Sequence, residues 1–182
     1  MPICLATHNL NKVTEFKRVL EPAVIIEHLD IEYPELRSDD PEEVVRVAAL
    51  ALSRKLDRPV LVEDSGLFID ALAGFPGTCT AYVFSRIGNA GILKLMKGVR
   101  DRRCWYKSAV GYCEPGGEPK SFLGVEEGSI AQAVRGKHGW GQDPIFIPKG
   151  SRKTYGECRK PGDVNVFRHK ALSLLKAFLA KR

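Results

Sequence analysis

Pro59-Val60-Leu61-Val62-Glu63-Asp64-Ser65-Gly66-Leu67 is the stretch from which the rest of the chain is read. Three apolar residues, mostly β-branched, follow a proline and run straight into two adjacent carboxylates. An uninterrupted apolar run of this kind predicts a strand buried on both faces, and hence a sheet covered by helices. Ser65-Gly66 then reads as a turn. Carboxylates at the end of such a strand sit at the rim of the core, where ligands of α/β proteins commonly bind. Acids at a solvated strand end are equally ordinary, so the stretch leaves both readings open.

Upstream, Ile3-Cys4-Leu5-Ala6 predicts a short first strand, and Thr7-His8-Asn9-Leu10-Asn11-Lys12 follows it. Val13, Phe16 and Leu20 then recur at helical spacing, and either Asn9 or Asn11 can cap that helix. Helix N-termini carry unpaired N–H groups and the positive end of the dipole, so they receive phosphate readily. Lys12 in the first turn opposes that dipole, a placement that makes sense if an anionic ligand offsets it. An ordinary cap with an exposed lysine is the plainer alternative. Val24-Ile25-Ile26 reads as a second strand. From Pro41 to Leu56 the pattern is helical, with acids in the first turn and a stripe at Val44, Val47, Ala48, Ala51 and Leu52.

Downstream, Phe75-Pro76-Gly77-Thr78 reads as a loop. A helix is expected from about Ala81 to Met96, broken near Gly88-Asn89. Arg102 to Cys113 and Lys120 to Glu127 read as a hairpin around Pro115-Gly116-Gly117. Gly136 to Pro144 is a dense turn region. Its glycines allow close backbone approach, Trp140 can stack on a flat ring, and Gln142 or Asp143 can bond to a base edge. A tryptophan anchoring a loop on the core fits the same residues. Ile145-Phe146-Ile147 is a short strand, and a last helix carries Leu172, Leu175, Phe178 and Leu179 on one face.

A chain of 182 residues, 44% hydrophobic and 27% charged, suits one sizeable globular domain. The net charge of +6 favours an anionic partner without choosing among nucleic acid, phosphorylated metabolite and membrane. The five cysteines are odd in number and lack C-x-x-C spacing, which speaks against a zinc site or a disulfide framework and suits a reducing, cytoplasmic setting. No signal peptide or membrane span is expected.

Three stretches together resemble the Ham1-like inosine triphosphate pyrophosphatases. They are Thr7-His8-Asn9-Leu10-Asn11-Lys12; Val62 to Leu67 followed by Gly74-Phe75-Pro76-Gly77; and Gly139-Trp140-Gly141-Gln142-Asp143-Pro144-Ile145-Phe146. Tyr33-Pro34-Glu35, Thr154-Tyr155 and Glu157 match as well, and the resemblance covers nearly the whole chain. It implies an elongated mixed β-sheet flanked by helices, a single two-lobed α/β domain over residues 1–182 with a central substrate cleft. It implies hydrolysis of ITP, dITP or XTP to the monophosphate and pyrophosphate, a need for Mg2+ and a homodimer, with no stable nucleic-acid partner and no membrane. Asp64 matches the proton acceptor, and Glu35 with Asp64 the metal-binding acids. Thr7, His8, Asn9, Leu10, Asn11, Lys12, Ser65 and Gly66 match the phosphate side. Trp140, Gly141, Gln142 and Asp143 match the base side, and Lys160, Arg168 and His169 would stand in for the family's basic residues near the C-terminus. Glu63 is left as a supporting or structural acid.

The chain departs from the family pattern at several points. Val47-Ala48-Ala49-Leu50 stands where a lysine is usual, and Cys79-Thr80-Ala81-Tyr82 where Tyr-Ser and a basic residue are. Gln142 replaces an aromatic, and the segment around Phe167 is out of register. Losing several charge partners of a triphosphate would lower its affinity by orders of magnitude. A nucleotide-binding module of the same fold with little catalysis is therefore one alternative, and a nucleic-acid-binding protein another.

Overall fold

The computed structural model describes residues 2–33, 36–158 and 165–181. Among them, seven strands form one sheet in the order β2-β1-β3-β5-β6-β7, with β4 paired to β3 off that path. The strands are β1 (Ile3–Ala6), β2 (Ile26–Leu29), β3 (Val60–Ile69), β4 (Pro76–Gly77), β5 (Arg103–Cys113), β6 (Lys120–Ile130) and β7 (Phe146–Pro148). The helices are α1 (Leu10–Leu20), α2 (Pro41–Leu56), α3 (Thr80–Leu95) and α4 (Val166–Leu179). The chain folds as two compact units. The first holds Met1–Asp64, Ser108–Gly124 and Arg168–Arg182, and the second Ser65–Lys107 and Val125–Phe167.

In the first unit, β1 pairs in parallel with both β2 and β3. Alternate residues of one strand face opposite sides of the sheet, and both sides here are covered. Ile3 and Leu5 of β1 and Leu61 of β3 join Val13, Phe16 and Leu20 of α1 and Ala171, Leu172 and Leu175 of α4. Cys4, Ala6, Val60 and Val62 join Val45, Ala48, Ala49 and Leu52 of α2. The doubly buried strand expected from Val60-Leu61-Val62 is present. Its route matters for function. From β1 the chain runs through α1 to β2 on one side, then returns through α2 to β3 on the other. The carboxyl end of β1 is therefore a topological switch point, the position where open α/β sheets bind ligands.

In the second unit, Tyr106 stacks on Phe167 with ring centroids 4.6 Å apart and meets Phe146 at 4.5 Å. Around them pack Leu67, Ile69, Val83, Ile92, Met96, Ile130, Ile145 and Tyr155. Phe167, in the stretch that departs from the family pattern, is thus a core aromatic.

Four expectations need correction. On α2, Val47 and Ala51 of the expected stripe are exposed, and Val45 and Ala49 are buried with Val44, Ala48 and Leu52 instead. Pro76–Gly77, expected within a loop, forms the short strand β4 because it pairs with β3. Ser65-Gly66 is not a turn: β3 continues through both residues to Ile69. The glycine serves a close backbone approach instead. A Cβ on Gly66 would overlap the Gly77 carbonyl, where β4 lies antiparallel along Leu67 and Phe68. A glycine inside a strand marks this situation as often as it marks a turn. The second strand begins later than expected, at Ile26 rather than Val24, and runs to Leu29.

Candidate functional site

The strand–turn–helix at the switch point is built by local hydrogen bonds. Thr7 follows β1, and its Oγ1 accepts from the Asn9 N–H at 3.1 Å. Asn9 is the cap of α1, its side chain accepting from the Asn11 N–H at 3.0 Å. The His28 ring donates from Nε2 to the Thr7 carbonyl at 2.8 Å. His8 is exposed and pairs with Asp30. Leu10, the first helical residue, is exposed.

Lys12 does have an anionic partner, and it belongs to the chain. Its Nζ lies 2.6 Å from Glu63 Oε2 and donates to the Glu63 carbonyl at 3.1 Å. Glu63 is the centre of a larger group. Its Oε1 accepts from Ser108 Oγ at 2.5 Å and from Arg168 Nε at 3.0 Å. Arg168 Nη1 donates to Glu15 Oε2 at 2.6 Å. Two cations and two carboxylates thus alternate in the order Lys12, Glu63, Arg168, Glu15. Lys12 has 18% of its side chain exposed, against 2% for Arg168 and 1% for Glu63. Burial alone would raise the Glu63 pKa. The charges of Arg168 and Lys12, with the bonds from Lys12 and Ser108, outweigh it and hold the carboxyl down at about 2. Beside this group, Arg18 Nη2 donates to His169 Nε2 at 2.8 Å, so that nitrogen carries no proton. Burial lowers the His169 pKa; Glu15 opposes this, and Arg18 and Arg168 reinforce it.

Asp64 and Ser65 follow Glu63 on β3 and are both half-buried. Adjacent strand residues face opposite sides, so Asp64 points away from the side on which Glu63 is bound. The two adjacent carboxylates therefore lie on opposite sides of β3, with Glu63 locked in the charge network. Glu35 and Lys160 lie outside the described residues.

The glycine–tryptophan loop belongs to the second unit. Asp143 is buried and its Oδ2 accepts from the Trp140 N–H at 2.9 Å. The Gln142 carbonyl accepts from the N–H groups of Ile145 and Phe146 at 2.9 and 3.1 Å. Gln142 is 3% exposed, and its Nε2 is buried with no hydrogen-bond partner among the described residues. Trp140 is half-buried, and Asn89 of α3 donates from Nδ2 to the Gly141 carbonyl at 3.0 Å.

The residues singled out in the sequence fall into two sets, one per unit: Thr7 to Lys12 with Asp64, Arg168 and His169 in the first, and Ser65, Gly66 and Trp140 to Asp143 in the second. Reasoning from sequence did not find Glu15, Ser108 or Asn89. Glu15 carried one weak signal, an acid three residues after Lys12 on the buried side of a helix. Among the described residues no three His, Cys, Asp or Glu side chains group as a metal cage. Asp64 offers the hard oxygen donors that a divalent ion takes.

Fold and side chains define a mixed α/β protein with a polar strand–turn–helix at a switch point and an acid on the neighbouring strand. The chain belongs to the Ham1 family, whose model matches residues 3–178. It is 49% identical to a dITP/XTP pyrophosphatase of Methanopyrus kandleri over 86% of this chain and 84% of that one. It is 44% identical to the protein of the same name from Pyrococcus horikoshii, over 98% and 95%. Among solved structures, the Ham1 protein of Staphylococcus aureus superposes with a TM-score of 0.89 at 28% identity, covering 100% of this chain and 99% of that one. A HAM1 protein from Coxiella burnetii gives 0.87 at 26%, with full coverage of both.

Proposed function

We propose that this protein hydrolyses purine nucleoside triphosphates of the dITP, XTP and ITP kind to the monophosphate and pyrophosphate, and so clears them from the nucleotide pool. The observation that carries the reading is the switch point at the end of β1. There a capped helix start and Lys12 on α1 follow β1, and Asp64 stands on β3, the strand that pairs in parallel with β1. The names of the similar proteins support the substrate class.

In this reading Asp64 takes the proton of the attacking water as oxygen bonds to the α-phosphorus and the α–β bridging bond breaks, with pyrophosphate leaving. Thr7, His8, Asn9, Leu10, Asn11 and Lys12, with Ser65 and Gly66, receive the phosphates. Trp140 stacks on the base, and Gly141, Gln142 and Asp143 line it. A divalent metal, Mg2+ in our proposal, would be held by Asp64 and Glu35; when bound it shields phosphate charge and acidifies water. Lys160 and His169 are assigned to the substrate as well. Arg168 keeps a weaker claim as a substrate ligand, because Glu15 and Glu63 engage it inside the fold. We further propose a homodimer in the cytoplasm; among the described residues no helix is long and apolar enough to cross a membrane.

Two of the clustered basic residues have partners within the chain. Arg102 donates to the carbonyls of Met96, Ile130 and Ala131, and Arg103 pairs with Asp101. The engagement of Lys12 and Arg168 by carboxylates favours, as a second reading, a nucleotide-binding module with little turnover. One panel separates the readings: ITP, XTP, dITP, ATP and GTP assayed for pyrophosphate with and without Mg2+. The proposal expects metal-dependent release from the first three well above the last two. Pyrophosphate from none of them, with calorimetric binding retained, would establish the module instead.

A further inference from the structure

We propose that Asn89 is a positioning residue that presents Trp140 to the base, through a break built into α3 for that purpose. The inference rests on the reading of Trp140 as the base-stacking residue. The helix α3 is interrupted at Gly88, whose backbone stands at φ 57 and ψ −166. A Cβ there would meet nothing within 4 Å. Crowding therefore does not require the glycine; the torsion does, since side-chain-bearing residues rarely adopt it. Sharp helix kinks need an identifiable cause, and this one has a visible product. The next residue is Asn89, whose Nδ2 donates to the Gly141 carbonyl at 3.0 Å.

Gly141 lies between Trp140 and Gln142, in a loop already tied internally by Asp143 to the Trp140 N–H. Asn89 adds a tie from a different element, 52 residues away in sequence, at the peptide that follows the tryptophan. Its cost is visible too. Among the described residues, Asn89 Oδ1 is buried without a hydrogen-bond partner, and so is Gln142 Nε2 of the loop. Orphaned buried polar atoms oppose folding and call for a reason. Orienting a loop for a ligand is such a reason; packing alone would be better served by an apolar side chain. Gly88, Asn89 and the loop all belong to the second unit.

Three variants test this in a Trp105→Phe background, which leaves Trp140 as the sole tryptophan. Asn89→Ala removes the tie. Asn89→Asp replaces the donor by a carboxylate facing a carbonyl. Gly88→Ala keeps the asparagine but disfavours the break that aims it. We expect each to change Trp140 emission in the free protein. We expect each to raise KM for ITP by about fivefold, the effect of one hydrogen bond, with kcat within about twofold. Inhibition by inorganic tripolyphosphate, which has no base, should stay unchanged. Unaltered emission in all three variants would overturn the proposal, and so would equal weakening of ITP and tripolyphosphate. The emission arm needs no turnover. If the parent protein proves inactive, the proposed function fails while the link from Asn89 to Trp140 is still decided.

Discussion

Glu63 receives charge from two directions, and its acidity reports that. Its pKa of about 2 in the folded chain lies below the ordinary 4.5, because Arg168 and Lys12 outweigh the effect of burial. A depressed carboxylate contributes stability above its unfolded pKa and loses that contribution as pH falls toward the folded value. Glu63→Gln should therefore be destabilised by about 3 kcal/mol at pH 7, the scale of breaking a buried ion pair. The gap to the parent protein should narrow between pH 4.5 and about 2, as urea denaturation across that range would record. Asp64→Asn should behave in the opposite manner: turnover falls by about 10³-fold, in the range of a lost general base, with the urea midpoint nearly unchanged. If Asp64→Asn kept parental turnover, the base would be another group. The residues Glu63-Asp64 by themselves gave no means of telling these roles apart; only the family resemblance pointed to Asp64 as the proton acceptor and left Glu63 as a supporting or structural acid. Strand alternation separates the two side chains, but the partners of Glu63 come from Arg168 and Ser108, 105 and 45 residues away in sequence. Pairing over such distances leaves no local periodicity to read.

At the scale of elements, much was legible because one physical rule governed each segment. Val60-Leu61-Val62 predicts a strand covered on both faces, and α1 with α4 on one side and α2 on the other supply the cover. The cap at Asn9 and the break near Gly88 are likewise local matters of side-chain chemistry and torsion. Ser65-Gly66 was misread because a glycine has two structural uses, and only the position of β4 distinguishes them. That strand is two residues long and carries no pattern of its own. Gly66→Ala should therefore destabilise by about 2 kcal/mol or more, since the added methyl meets backbone rather than a side chain able to move aside. A thermal shift of less than 1 °C would contradict this. Asn9→Ala should cost about 1 kcal/mol as a lost helix cap, and it should also raise KM for ITP if the same turn receives phosphate.

For the whole molecule, the cysteine count was informative: all five thiols are free, and Cys4, Cys104 and Cys113 are buried. In denaturant five thiols should react with a disulfide reagent, whereas in the native protein exposed Cys79 should react first. Net charge was less informative, because a sum says nothing about which arginines are spent on carbonyls. The division into units was outlined only as an expectation of two lobes, since no linker or shift of composition marks where one unit gives way to the other. The reason is the path of the chain. It passes from one unit to the other after Asp64, Lys107, Gly124 and Phe167, so the first unit is assembled from three segments and the second from two. Neither can be excised as a contiguous fragment, and a single recombination event cannot exchange one for a foreign counterpart. Exchanging one unit for another would need four junctions placed together, whereas a change of residue within the chain needs none.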